Sequence, residues 1–296
     1  MPDHDELLAL LDLDCPWPGH LVGGQPPASM LDKVYGGQLL AQALVAMTRT
    51  VDLDRRAHAV QGTFFHPGNH VDALHYDVEK LRDGRSFSVR SVVASQDSRE
   101  LLRATASFQV PEPGLAHSPA APPAPPPDDL PSLADVIRDH SELDDAPWRR
   151  EWPGVDVRYV DALLDSPDPT GPGRQQVWMK VRRTLPDDPV LHHQVLTYLS
   201  DLTLVNASLV PHGILVGAPE LPRATLNHTV WLHEDVRADE WFLVDQTSPW
   251  AGGARGFSRA EVFQDGRHVA SYAQEGLIRP RGDLRKRLLG DEADAS

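Results

Sequence analysis

Apolar residues along the chain follow two alternating rhythms. From Val34 to Met47 (VYGGQLLAQALVAM) they recur at helical spacing, with Gly36-Gly37 near the start, which predicts a helix. Runs rich in Val, Phe and Ser/Thr come next, predicting strands at His58–His66, Ala73–Leu81, Arg85–Gln96 and Arg99–Gln109. The same order then returns. Val190–Val205 (VLHHQVLTYLSDLTLV) reads as a helix, followed by strands at Thr225–His233, Trp241–Thr247, Arg255–Gln264 and Arg267–Ile278. Asp97-Ser98 and Asp265-Gly266 are the tight turns between the last two strands of each set.

The two sets read as an internal duplication, one helix and an antiparallel sheet per copy. Arg85–Gln109 and Arg255–Leu277 both open with Arg-x-Phe-Ser, turn at Asp-small-Arg and return through an Ala/Ser-rich strand. A helix ahead of such a sheet suggests a helix wrapped by the sheet, and sheet edges left open by wrapping can pair between copies. Residues 111–131 hold nine prolines in 21 positions, which predicts an extended, solvated connector. The expected organisation is α+β: a first unit at 1–110, a connector at 111–150 and a second unit at 151–296.

A net charge of -15 makes nucleic acid an unsuitable partner and requires any polyanionic substrate to meet a local basic patch. Cys15 is the single cysteine, flanked by acids and a proline, a poor setting for a nucleophile. No apolar run reaches about 18 residues and the N-terminus lacks a signal-peptide pattern, so a cytoplasmic protein without a membrane span is expected.

Hydrolytic and metal motifs are missing. There is no G-x-S-x-G elbow and no H-E-x-x-H, and His192-His193 point about 100° apart on a helix, a poor chelate. Neither a metal nor another cofactor is expected. What remains for hydrolysis is an activated water. Asp201 stands among apolar neighbours (YLSDLTLV) on the second helix, where a carboxylate is costly unless hydrogen-bonded. Read from the residues alone, it is either a structural anchor or a functional acid. Thr225 is by itself an ordinary β-branched strand residue and Gln274 a surface polar residue. Alternation places His228 on the face opposite Thr225. Aligning the copies sets Gln274 against Ala106 and Thr225 against His58, so the first copy lacks the polar set.

Seven blocks in order name a family: ELLALLDLD, VYGGQLLAQAL, YDVEKLRDGRSFSVRSVVASQ, ATASFQ, YLSDLTLVNASLVPHG, LNHTVWLHEDVRADEWFLVDQTSPWAGGARG and RHVASYAQEGLIR. They resemble the acyl-CoA thioesterase II family from about Glu6 to Arg279, outside the proline-rich stretch and the segment after it. The resemblance implies a double hot-dog fold, two helix-wrapped antiparallel sheets in one chain. It also implies an acyl-CoA substrate and further association into a homo-oligomer. It assigns the catalytic set to Asp201, Thr225 and Gln274. Phe64, Phe65, Trp231, Phe257 and Met47 are candidate walls for the acyl chain, although plain core packing explains each singly. Arg82, Arg85, Arg90, Arg255 and the basic tail Arg279–Arg287 are candidates for the coenzyme A phosphates, with solvated surface charge as the alternative. The rival readings are a hot-dog acyl-CoA hydratase, which needs an Asp/His dyad, and a non-catalytic acyl-CoA binder.

Overall fold

The computed structural model describes residues 4–24, 33–139, 152, 154–160, 170–214 and 220–290. In chain order its regular elements are α1 (His4–Leu11), β1 (Asp14–Trp17), β2 (His20–Gly23), α2 (Gly36–Thr48), β3 (Arg56–Phe64), β4 (Leu74–Asp83), β5 (Phe87–Gln96) and β6 (Arg99–Gln109). Then come α3 (Leu133–Asp139), β7 (Val155–Tyr159), β8 (Gly173–Val181), α4 (Pro189–Ser200), β9 (Arg223–Leu232), β10 (Phe242–Gly252), β11 (Arg255–Gln264), β12 (Arg267–Ile278) and α5 (Gly282–Leu289).

Every residue of α2 from Gly37 to Met47 is buried, as is every residue of α4 from His192 to Ser200. A helix apolar or buried all round needs cover on all sides. A single antiparallel sheet supplies it, in the order β1-β2-β4-β5-β6-β3-β9-β12-β11-β10-β8-β7. The order is a palindrome of two copies joined at β3 and β9, where Val60 stands opposite Val230. The two expected sheets are therefore one continuous sheet, because pairing β3 with β9 satisfies the edge that each copy would otherwise leave open. The spacing predicts four strands per copy. Among the described residues each copy has two more, β2 and β1 beside β4, and β8 and β7 beside β10.

The ladder registers align the copies independently of the sequence. The turns at Asp97-Ser98 and Asp265-Gly266 correspond, with positive φ at all four residues. A β-bulge falls between Ala57 and Ala59 in the first copy and between Thr225 and Asn227 in the second. Gln274 thus matches Ala106, whereas Thr225 matches Ala57 rather than His58, because the bulge takes up one residue. The shared Arg-x-Phe-Ser is out of register: Phe87 matches Arg255.

The expected helix Val190–Val205 ends at Ser200. Beyond it the chain tightens into a short 3-10 turn, Leu204–Ser208, that lies on the sheet. Glycines make room for it: a Cβ on Gly173 would strike the Ala207 carbonyl oxygen, and one on Gly256 would strike Ser208. The proline-rich segment is extended, as its composition dictates, but it is not free of the domain. Residues Ala121–Ala124 lie against Trp178, Leu243 and Phe263, and the Trp178 indole donates to the Pro125 carbonyl at 3.0 Å.

Replacing Gly173 by Ala is expected to cost about 3 kcal/mol or more in urea denaturation, because backbone, not a movable side chain, occupies the space. Gly114→Ala in the connector, with nothing within 4 Å, should be neutral in the same assay.

Candidate active site

Asp188 caps α4, its carboxylate accepting from the Val190 N–H at 2.9 Å, and Pro189 opens the helix with φ already set. Near the other end the side chains of Thr197 and Ser200 turn back to the carbonyls of His193 and Thr197. Asp201 is the C-cap, with φ −87° and ψ −3°. A carboxylate there faces the negative end of the helix dipole as well as a dry interior.

Hydrogen bonds offset that cost. The Thr225 hydroxyl donates to Asp201 Oδ1 at 2.8 Å. Gln274 Nε2 donates to the same oxygen at 2.5 Å and to the Thr225 hydroxyl oxygen at 2.8 Å. The three side chains form a closed triangle whose members come from a helix end and two strands that are not sequence neighbours. Gln274 Oε1, also buried, has no protein partner among the described residues.

The first copy completes the surroundings. The Gly37 N–H donates to the Asp201 carboxylate. A Cβ on Gly36 would sit 2.6 Å from Asp201 Oδ2 and 3.4 Å from the Phe64 ring, so only glycine lets α2 begin this close. The Tyr35 hydroxyl donates to the Tyr198 carbonyl at 3.0 Å, pinning the start of α2 to the end of α4. The positive end of α2 therefore points at the acid. Two cations stand nearby. Lys33 Nζ donates to the Arg223 carbonyl at 2.6 Å, and Arg223 donates to Asn206 Oδ1 at 2.8 Å. Burial raises the Asp201 pKa to about 6, against the hydrogen bonds from Thr225, Gln274 and Gly37 and the attraction of Lys33. Burial and the Arg223 charge hold Lys33 below its usual value.

An acyl-CoA thioesterase model matches residues 169–277, and a model of the acyl-CoA thioesterase N-terminal domain matches residues 25–109. The chain belongs to the acyl-CoA thioesterase family. It is 32% identical over 255 residues to acyl-CoA thioesterase 2 of Haemophilus influenzae, covering 83% of this chain and 88% of that one. The solved acyl-CoA thioesterase II TesB2 of Mycobacterium marinum matches with a TM-score of 0.78 and 38% identity, over 93% of this chain and 98% of that one. A hot-dog protein of unknown function from Alicyclobacillus acidocaldarius, 21% identical, matches with a TM-score of 0.75 over 93% of this chain and 98% of that one. The fold is thus a double hot-dog.

Within this thioesterase fold the expected catalytic set lies together, but the substrate-binding set does not. Phe64 alone of the proposed walls lies with Asp201 beside the start of α2, both close to Gly36. Phe65 is exposed, and Met47 is buried in the core near the far end of α2. Trp231, 40% exposed between buried Val230 and Leu232, faces outward, as does Phe257 between buried Gly256 and Ser258. Strand alternation forbids either from lining the inner site. Arg255 is on the outer face too, paired with Glu275 at 3.1 Å and stacked over Trp250. Arg85 is exposed beside Gly84, which binds Arg55. That corner adjoins the C-terminal end of α2, about 20 Å from the helix start at Asp201. Arg90 is only 2% exposed and spends its guanidinium on Thr50, Asp83 and backbone carbonyls. Lys33, Arg223 and Tyr35 carry no sequence signal of their own, since their relation to Asp201 exists only once the copies dock.

His228 departs from strict alternation. The bulge after Thr225 resets it, so that both residues face inward, and His228 stands opposite Gln274 in the ladder. Its Nε2 bonds Ser200 Oγ at 2.7 Å, and burial pushes the imidazole down to about 3. His192 and His193 make separate bonds to backbone, at Ala238 and Glu234. Among the described residues no group of three or more His, Cys, Asp or Glu could hold a metal.

The raised Asp201 value has a linkage consequence. Between the ordinary carboxylate value and about 6, the folded chain keeps a proton that the unfolded chain has lost. This group's contribution, about 3 kcal/mol, is complete at low pH and is lost as pH rises through that window. Asp201→Asn should remove that slope, read as the dependence of unfolding free energy on pH between 4 and 7.

Proposed function

We propose that this acyl-CoA thioesterase works by direct attack of a water held by Asp201, Thr225 and Gln274, without a metal or a covalent serine. The observation that carries the reading is the closed hydrogen-bond triangle around a carboxylate held near pKa 6. A group with that value is ionised at neutral pH yet basic enough to take a proton in the transition state. Asp201 draws the proton from water as its oxygen adds to the thioester carbon. Thr225 and the free Gln274 Oε1 fix the water's orientation. The positive end of the α2 dipole, brought close because Gly36-Gly37 carry no side chains, faces the developing negative charge on the thioester oxygen. Collapse of the adduct breaks the C–S bond, and coenzyme A leaves as a thiolate that needs no strong general acid.

Phe64 lines the acyl side, and Lys33 with Arg223 supplies positive potential that the net charge of -15 otherwise denies an anionic substrate. We infer a cytoplasmic homo-oligomer. Support for assembly comes from the outer sheet face, where Trp231 and Trp250 are 40% and 47% exposed.

The domain limits proposed are the two hot-dogs at 1–110 and 151–296 with the connector at 111–150 between them. Asp201→Asn is expected to lower kcat for thiol release by about a thousandfold, and Thr225→Val or Gln274→Ala by about ten- to a hundredfold. A thiol-reactive dye with a panel of acyl-CoA chain lengths measures all three. Wild-type activity in Asp201→Asn overturns the assignment. Hydration of crotonyl-CoA without thiol release would make the protein a hydratase, and binding with neither a carrier. In the wild type, kcat/KM should rise through about pH 6 as Asp201 ionises and then level off.

A further inference from the structure

Four buried oxygens cross the inner face of the second copy from strand to strand. Gln274 on β12 stands opposite Ser258 on β11. Gln246 on β10 stands opposite Ala260, two residues along from Ser258, and opposite Gln175 on β8. All four residues are at most 5% exposed. Gln274 Oε1, Ser258 Oγ, Gln246 Oε1 and Gln175 Oε1 have no protein partner among the described residues. The other end of Gln246 is fixed, its Nε2 donating to the Thr203 hydroxyl at 2.9 Å.

Leaving one such oxygen unpaired costs about 1–3 kcal/mol, and four in a row would consume much of a domain's stability. Buried polar groups of this kind are satisfied by bound water. The first copy provides a control. At the positions matching Gln274, Ser258 and Gln246 it has Ala106, Arg90 and Val78. There the row is closed: two members are apolar, and Arg90 is tied to Thr50, Asp83 and nearby carbonyls. The row is open only in the copy that holds Asp201.

We propose that Ser258, Gln246 and Gln175 carry a file of bound water across the sheet to Gln274 Oε1, and that this file replenishes the water Asp201 activates. The inference rests on the Asp201 reading above. Each turnover consumes one water: its oxygen and one proton end in the carboxylic acid, and the other proton goes by way of Asp201 to the thiol. Asp201 is 8% exposed, and a bound acyl-CoA covers the approach that remains, so resupply from behind keeps the site charged while substrate exchanges at the front.

The isosteric pair Ser258→Thr and Ser258→Val tests this. The file requires the hydroxyl, so Ser258→Val should lower kcat about tenfold with KM unchanged and a thermal midpoint matching that of Ser258→Thr, while Ser258→Thr keeps kcat within about twofold of wild type. Gln246→Leu, farther along the row and remote from the triangle, should repeat the Ser258→Val pattern. Equal behaviour of the Thr and Val variants, whether both active or both impaired, overturns the file. So does a loss that appears in KM instead of kcat. Failure of the underlying reading shows separately, as thiol release by Asp201→Asn.

Discussion

A carboxylate held in a dry interior by hydrogen bonds, not by an ion pair, constrains much of this protein. Asp201 caps a buried helix, against the helix dipole, and is stabilised by Thr225, Gln274 and the Gly37 N–H. Those donors come from two strands of one copy and the helix start of the other. The acid can be kept only if β3 and β9 join the copies and Gly36-Gly37 let α2 come within touching distance. Tyr35 bonded to Tyr198 locks that approach. Fold and site therefore depend on each other: the continuous sheet brings the helix start to the acid, and the acid's bonds offset part of the cost of its burial, leaving its pKa at about 6.

Duplication created two equivalent helix ends, and they have diverged. In the second copy the end of the helix carries Asp201 over Gln274 and an open polar row. In the first, Ala57 and Ala106 replace the polar pair, and Arg90 fills the matching ground with its donors fully engaged around Thr50. The first copy keeps a different contribution, the glycine start of α2 and Phe64, which complete the site of its partner. A large core is thus shared while one polar site is maintained, which limits the cost of buried polar groups.

Much of the fold was legible because the signal is periodic. A buried helix and four strands announce themselves twice, and the Asp-Gly and Asp-Ser turns fix the hairpins. The flanking strands β1, β2, β7 and β8 were not, being short or, like β8 (GRQQVWMKV), mixed polar and apolar. The resemblance supplied Asp201, Thr225 and Gln274; composition alone leaves a buried acid open between anchor and catalyst. Phe65, Met47, Trp231, Phe257, Arg85, Arg90 and Arg255 lie away from Asp201 for a physical reason. Aromatic or basic character says nothing about which face of a strand is used, and a single bulge, as between Thr225 and Asn227, changes the face of every residue beyond it. Lys33 and Arg223 were invisible because their importance lies in a distance across the two copies, not in a pattern along the chain.

The central claim is that Asp201 activates water and does not itself attack the thioester. One turnover in water enriched in heavy oxygen, followed by mass spectrometry of both product and enzyme, separates water activation from an anhydride opened at the Asp201 carboxyl carbon. Water activation predicts one heavy oxygen in the free acid from the first turnover and none in the peptide containing Asp201. An unlabelled acid together with a labelled Asp201 would show a covalent anhydride and contradict the account.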